Sequence, residues 1–192
     1  LALPHVVTGT GFTWGIATEI AIFALVGLGY NLLLGYTGLL SFGHGMFFGL
    51  AAYATALSQI HWFKSSLWLP LGFAILFSAA LGLIVGFLVL RRRGVYFSLL
   101  TLAFTALTFY IVYRWTSFTG GENGLSGIQR VPFFGLDLDN QVVFYHLIAI
   151  VVFVVAWIIW RIVNSPLGSV LAAIRENENR ARFIGYPVLR YK

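Results

Sequence analysis

The chain is predicted to be an all-α integral membrane protein, a polytopic helical bundle with about five transmembrane helices, on three observations. First, no Asp, Glu, Lys or Arg occurs from Ile20 to Phe63, Ser65 to Leu90, Gly94 to Tyr113 or Asn140 to Trp160. A bilayer core about 30 Å thick is crossed by about 20 apolar residues of helix, and each stretch is that long. Second, the composition is 59% hydrophobic, 17% aromatic and 9% charged, far from the roughly 25% charged residues of a soluble domain. Third, the basic residues behind the net charge of +6 flank the apolar runs, where the positive-inside rule expects them. Topology, not nucleic acid, accounts for that charge.

Taken in order, the first span is expected over 16–34 and the second over 46–60. The second is short: at 1.5 Å per residue it reaches about 22 Å, which leaves both a full crossing and a broken or re-entrant helix open there. Before it lies Gly35-Tyr36-Thr37-Gly38-Leu39-Leu40-Ser41-Phe42-Gly43-His44-Gly45. Glycine unwinds helix cheaply, and irregular backbone at membrane depth needs protein or a watery cavity to satisfy it. Transporter binding sites have this texture. Tyr36, Thr37, Gly38, Ser41, Gly43 and His44 are therefore the candidate translocation-pathway residues, with His44 the sharpest, because an ionisable group near the membrane is costly. The bland alternative is a turn with helix-packing glycines, and the GxxxG spacings Gly45 to Gly49 and Gly82 to Gly86 fit that use.

The third span, 67–90, runs into Arg91, Arg92 and Arg93, and the fourth covers 95–113. The loop after it contains Thr119, Gly120, Gly121 and Gly124, turn formers with no lysine where a phosphate loop would need one. Glu122 beside Asn123 lacks a spaced nucleophile, so no catalytic residue is assigned. The fifth span covers 141–160, which makes 1–160 the transmembrane region and 161–192 a cytoplasmic coupling segment. In that segment Ser165 is placed to N-cap a helix and Pro166 to be its first residue. Leu167, Val170, Leu171 and Ile174 repeat at helical spacing, and Gly185 with Pro187 closes the segment. Arg175, Arg180 and Arg182 would suit an anionic leaflet, but the carboxylates of Glu176 and Glu178 favour a docking helix whose apolar stripe grips a cytoplasmic partner. Charge asymmetry puts Arg91 to Arg93 and the basic tail inside and Lys64 and the loop from Arg114 to Asn140 outside; if 46–60 spans, parity puts residue 1 outside as well. Without cysteine there is no disulfide, thiolate metal site or cysteine nucleophile.

These motifs resemble the permease subunit of bacterial branched-chain amino acid ABC importers, the LIV-type, LivM-like family, along nearly the whole chain. The resemblance rests on Asn31-Leu32-Leu33-Leu34-Gly35-Tyr36-Thr37-Gly38 running into Leu40-Ser41-Phe42-Gly43-His44-Gly45. It rests also on Arg93-Gly94-Val95-Tyr96-Phe97, on Thr101-Leu102-Ala103-Phe104, and on Trp115-Thr116 with Thr119-Gly120-Gly121 and Gly124-Leu125. The last block is Ser165-Pro166-Leu167-Gly168 followed by Ala173-Ile174-Arg175-Glu176-Asn177-Glu178.

The resemblance implies a type II ABC importer-like permease, a multi-pass protein of the bacterial inner membrane and not an enzyme. It would pair with a second, LivH-like permease, a periplasmic substrate-binding protein and two cytoplasmic ATPase subunits. Those ATPases would use the ATP and Mg; the chain itself would bind no cofactor and no metal. ATPase coupling would then fall to Ser165, Pro166, Gly168, Leu171, Ala173, Ile174, Arg175, Glu176, Asn177, Glu178 and Gly185. Family members usually begin with one more span and continue beyond this point, so the chain is expected to be a fragment, with Leu1 to Pro4 ending a missing span. Urea or short-amide importers share the motifs and form the alternative. A passive channel would not need the segment Ser165 to Gly185, and an intramembrane enzyme should show a paired nucleophile and base.

Overall fold

The computed structural model describes residues 13–64, 66–92, 94–128, 131 and 137–191. Expectations concerning Leu1 to Pro4, Arg93, Arg130 and Lys192 fall outside these residues. Among the described residues all regular structure is helical. Helix α1, Trp14–Asn31, continues into a π-helical turn, Leu32–Tyr36; α2 is His44–His61, α3 Trp68–Val89, α4 Val95–Arg114 and α5 Gln141–Val163. Two shorter helices follow, α6 Pro166–Glu176 and α7 Glu178–Phe183, with single turns at Thr116–Thr119 and Val188–Tyr191 and a 3-10 turn at Gly121–Asn123.

Among the described residues four segments are long and apolar enough to cross a membrane: Trp14–Tyr36, α3, α4 and α5. The chain is thus a multi-pass membrane protein. Helix α2, counted among the five expected spans and left open between a full crossing and a broken or re-entrant helix, is not one of these four. It is one unbroken helix of 18 residues, about 27 Å long. The alanines at 51, 52, 54 and 56 are strong helix formers and no proline interrupts them. What sets it apart from the four is its polarity, with Ser58, Gln59 and His61 in its last turn. The interruption lies before it, across 37–43.

The chain divides into two compact units, Leu1–Gly38 with Gly135–Lys192, and Leu39–Phe134. In the first, α1 lies against α5. Trp14 meets Tyr145 edge to face at 5.7 Å, and Ala17 and Tyr145 are buried at this seam. Asn140 starts α5 by accepting a hydrogen bond from the Val142 N–H at 3.0 Å, satisfying one of the orphan donors of the first turn. In the second unit α2 packs on α3 and α4, with Met46, Ala54 and Ala56 of α2, Ala74 and Val89 of α3, and Phe97 of α4 buried. Gly45, Gly49 and Gly82 have nothing within 4 Å of where a Cβ would stand, so these GxxxG positions pack no helix of the described chain.

Candidate functional site

In the first unit the structure gathers the expected coupling residues around the elbow between α5 and α6. Pro166 is the first residue of α6 and Ser165 sits in extended backbone before it, as the motif requires. The hydroxyl, however, does not cap α6. It donates back to the Ile162 carbonyl at 2.6 Å, while the Asn164 side chain donates to the Trp160 carbonyl at 2.8 Å. Both polar groups thus close the carbonyl end of α5, whose last carbonyls have no helical partner. Gly168 fixes the bend: a Cβ there would stand 2.0 Å from the Val163 oxygen and 2.6 Å from its carbonyl carbon. Only glycine allows two backbones to meet at that separation.

The apolar stripe of α6 is corrected by its burial. Leu171 is 4% and Ile174 3% exposed, and Ile174 packs with Ala181, Val188, Val170 and Tyr191. Leu171 and Ile174 are thus covered within the chain and are not a free grip, whereas Leu167 at the start of the stripe is exposed. What α6 leaves exposed is Pro166, Leu167, Ser169, Ala173, Arg175 and Glu176. Beyond it, Asn177 caps α7 by accepting from the Arg180 N–H at 2.9 Å, Glu178 pairs with Arg182 at 3.8 Å, and Gly185 ends the segment at φ 99°. Phe183 is 90% and Ile184 69% exposed. Sequence reasoning missed these two, although a pair of bulky apolar residues just before a closing glycine was their visible signal. Arg175, although exposed, lies along the π turn, where its guanidinium donates to the Gly35 carbonyl.

Of the candidate pathway residues, Tyr36, Thr37 and Gly38 belong to the first unit and Ser41, Gly43 and His44 to the second. Thr37 is buried and its hydroxyl donates to the Leu33 carbonyl. In the second unit the strap 39–43 lies along α4. The Phe42 N–H donates to Thr101 Oγ1 at 3.0 Å, Thr105 Oγ1 donates to the Phe42 carbonyl at 3.2 Å, and Ser98 Oγ donates to the Leu40 carbonyl at 2.6 Å. Ser41 Oγ accepts from the Gly43 N–H at 3.1 Å. A Cβ on Gly43 would stand 3.3 Å from the Thr101 Cβ, so glycine brings the strap to the helix that supplies its partners. His44 begins α2, half-buried.

The glycines of the loop after α4, expected on the outer side, form a clasp on the end of that helix. Thr119 Oγ1 is shared between the carbonyls of Val112, at 2.6 Å, and Trp115, at 2.8 Å. Gly120 has φ 78° and a Cβ there would stand 2.0 Å from the Gly124 oxygen; Gly121 has φ 56° and Gly124 φ 66°. Below this clasp, a cavity of 310 Å³ is lined by Leu50, Tyr53, Leu57, Phe77, Ile111 and Trp115 among others. The polar groups at its edge are engaged: Ser58 Oγ donates to the Thr55 carbonyl at 3.0 Å and His61 Nδ1 lies 3.0 Å from the Leu57 carbonyl. Among the described residues no three His, Asp or Glu side chains gather where a metal could be held.

Residues 12–192 match the family described as branched-chain amino acid transport system / permease component. The chain is 34% identical over 200 aligned positions to a high-affinity branched-chain amino acid transport system permease protein, LivM, of Salmonella typhimurium, covering 92% of this chain and 47% of that protein. It is likewise 34% identical to LivM of Escherichia coli, covering 94% of this chain and 48% of the relative. The chain therefore spans about half the length of these curated relatives. No solved structure matches it.

Proposed function

The chain belongs to the family of permease components of branched-chain amino acid transport systems, and from that premise we propose that it is the membrane-spanning part of an ATP-driven importer of branched-chain amino acids. In this reading two cytoplasmic ATPase subunits drive it, a second permease subunit completes the membrane pore, and a soluble binding protein outside the bacterial inner membrane delivers the solute. The chain acts as a transporter subunit and not as an enzyme; ATP and Mg are used by the ATPases. Arg91 and α6 face the cytoplasm and the Thr119 to Gly124 clasp faces out. The interruption over 35–45 borders the solute's route.

The observation that carries the reading is the α5–α6 elbow. A helix too short and too polar on one side to span a membrane is locked to the end of a spanning helix by the Gly168–Val163 contact. A rigid short helix at that place gives a driving subunit something to push, and the outward residues Leu167, Ser169, Ala173 and Glu176, with Phe183 and Ile184, form a mixed surface of the kind that suits a protein partner. A passive channel has no use for it.

The test uses the full-length permease co-expressed with its genomic neighbours and reconstituted in liposomes. Leucine uptake that requires ATP and the binding protein is expected, with ATPase subunits co-purifying. Uptake of urea or a short amide instead of leucine would overturn the cargo. Flux that runs downhill without ATP would overturn the importer. This sequence has no cysteine, so with any cysteine elsewhere in the full-length protein replaced, a single Ser126→Cys in the same loop reports topology, and labelling of it only from the cytoplasmic side would overturn the orientation.

A further inference from the structure

We propose that Arg175 is a positioning residue that ties the docking helix α6 to the end of the first span, so that movement of α6 is felt at the Gly35–Gly38 bend. The inference rests on the reading of α6 as the ATPase-docking helix and adds the route by which its motion enters the membrane region.

The π turn leaves carbonyls at its end that no following helix can satisfy. Three different donors reach them. The Thr37 hydroxyl donates to Leu33, the Gly38 N–H donates to Leu34 at 3.2 Å, and the Arg175 guanidinium donates to Gly35. The first two come from the next few residues of the same segment; the third comes from 140 residues away along the chain. A helix carries partial negative charge at its carbonyl end, so a cation is favoured there. Arginine suits the task because its planar head keeps its charge and fixes the direction of its donors, whereas a lysine ammonium would hold the carbonyl as a loose point charge.

The stem of Arg175 makes the contact mechanical as well as electrostatic. A Cβ on Gly38, whose φ is 70°, would stand 2.6 Å from Arg175 Cγ and 3.6 Å from its Cα. The α6 backbone thus lies within one side-chain layer of a residue already in the glycine-favoured left-handed region. Helix α6 is consequently held at both ends. Gly168 pins its first turn to the end of α5, and Arg175 pins its last turn to the end of the first span. A push on α6 that leaves the Gly168 contact intact must pivot about it, and the displacement is then largest at Arg175.

The test compares wild type with R175Q and R175K in the full-length transporter. For R175Q, co-purification of the ATPase subunits should be unchanged and ATP hydrolysis should stay within about twofold, while solute imported per ATP falls at least tenfold. R175K should recover part of that ratio. Loss of ATPase co-purification in R175Q would overturn the proposal, because Arg175 would then be a contact to the partner. An unchanged ratio would overturn it as well. A second readout needs no ATPase: hydrogen exchange in the full-length permease alone should rise at least tenfold over 35–38 in R175Q, with no change at the clasp over 112–121. Unchanged exchange at 35–38 would sink the tie even if the docking reading stands, whereas failure of wild type to bind any ATPase would sink the docking reading and with it this proposal.

Discussion

The elbow between α5 and α6 and the strap 39–43 both interrupt helix in a chain that is otherwise apolar and helical, yet different atoms hold them. At the elbow the contact is backbone on backbone, with Gly168 set against the Val163 carbonyl. Along the strap it is side chain on backbone, with Ser98, Thr101 and Thr105 of α4 reaching the amide and carbonyls of Leu40 and Phe42. A steric contact has no intermediate setting, since a carbonyl oxygen at 2.0 Å from a Cβ must move or the bend must open. Hydroxyl bonds can be lost one at a time, each for a modest free energy. The first arrangement suits a lever and the second a segment that can shift.

The largest expected effect follows from the steric side. Gly168→Ala should destabilise the chain by about 3 kcal/mol, the upper part of the usual range for overpacking. The same change at Gly49 or Gly82, with nothing within 4 Å, should be close to neutral or slightly stabilising, because alanine is the better helix former. Thermal unfolding of the three variants in detergent makes the comparison. Equal midpoints for Gly168→Ala and Gly82→Ala would show that the elbow yields.

Much of this contrast could not be read before the structure, for a physical reason. Charge-free runs long enough for a bilayer reported the spans directly, and α3 and α4 begin or end within one residue of 67–90 and 95–113. A helix that is apolar on every side carries no period to say which face meets protein, so the open GxxxG positions of α2 and α3 were not separable from packed ones. The α6 stripe was periodic, and its period was correct; periodicity says that a face is buried without saying against what, and Ile174 proved to be covered by the chain's own following turns. Ser165 shows the same limit at one residue. Its position before Pro166 was legible, but a hydroxyl between two helices has two chain ends to choose from, and it took the α5 carbonyl. Along the strap the sequence showed only that protein or a watery cavity had to satisfy the irregular backbone; the hydroxyls of α4 reach Leu40 and Phe42.

The polar side of the comparison gives the next effect. Thr101→Val removes the acceptor of the Phe42 N–H and the hydroxyl that donates to Ser98 at 2.8 Å. An amide left without a partner in a buried site costs about 1–3 kcal/mol; here the bond is partly buried and Phe42 is 53% exposed, so a loss of about 1 kcal/mol is expected, and Thr101→Ser should restore most of it. If valine is tolerated and serine brings no gain, sterics hold the strap as they hold the elbow, and the contrast between the two bends disappears.

The smallest effect on stability is predicted just past the elbow, where exposure rather than burial decides. Phe183 is 90% exposed and covers no neighbour whose packing its removal would disturb, so Phe183→Ser should change stability by no more than about 0.5 kcal/mol. Leu171→Ser, one helix earlier and buried, removes a side chain from the seam that holds α6 and should cost several times as much. If Phe183 belongs to the surface that meets the ATPase, its variant should nevertheless weaken ATPase co-purification at least tenfold, since a bulky aromatic anchor at the centre of an interface accounts for a disproportionate share of binding. Retained co-purification with Phe183→Ser, measured on protein whose unfolding midpoint matches wild type, would move the docking surface back to the outward residues of α6 and leave Phe183 to the lipid.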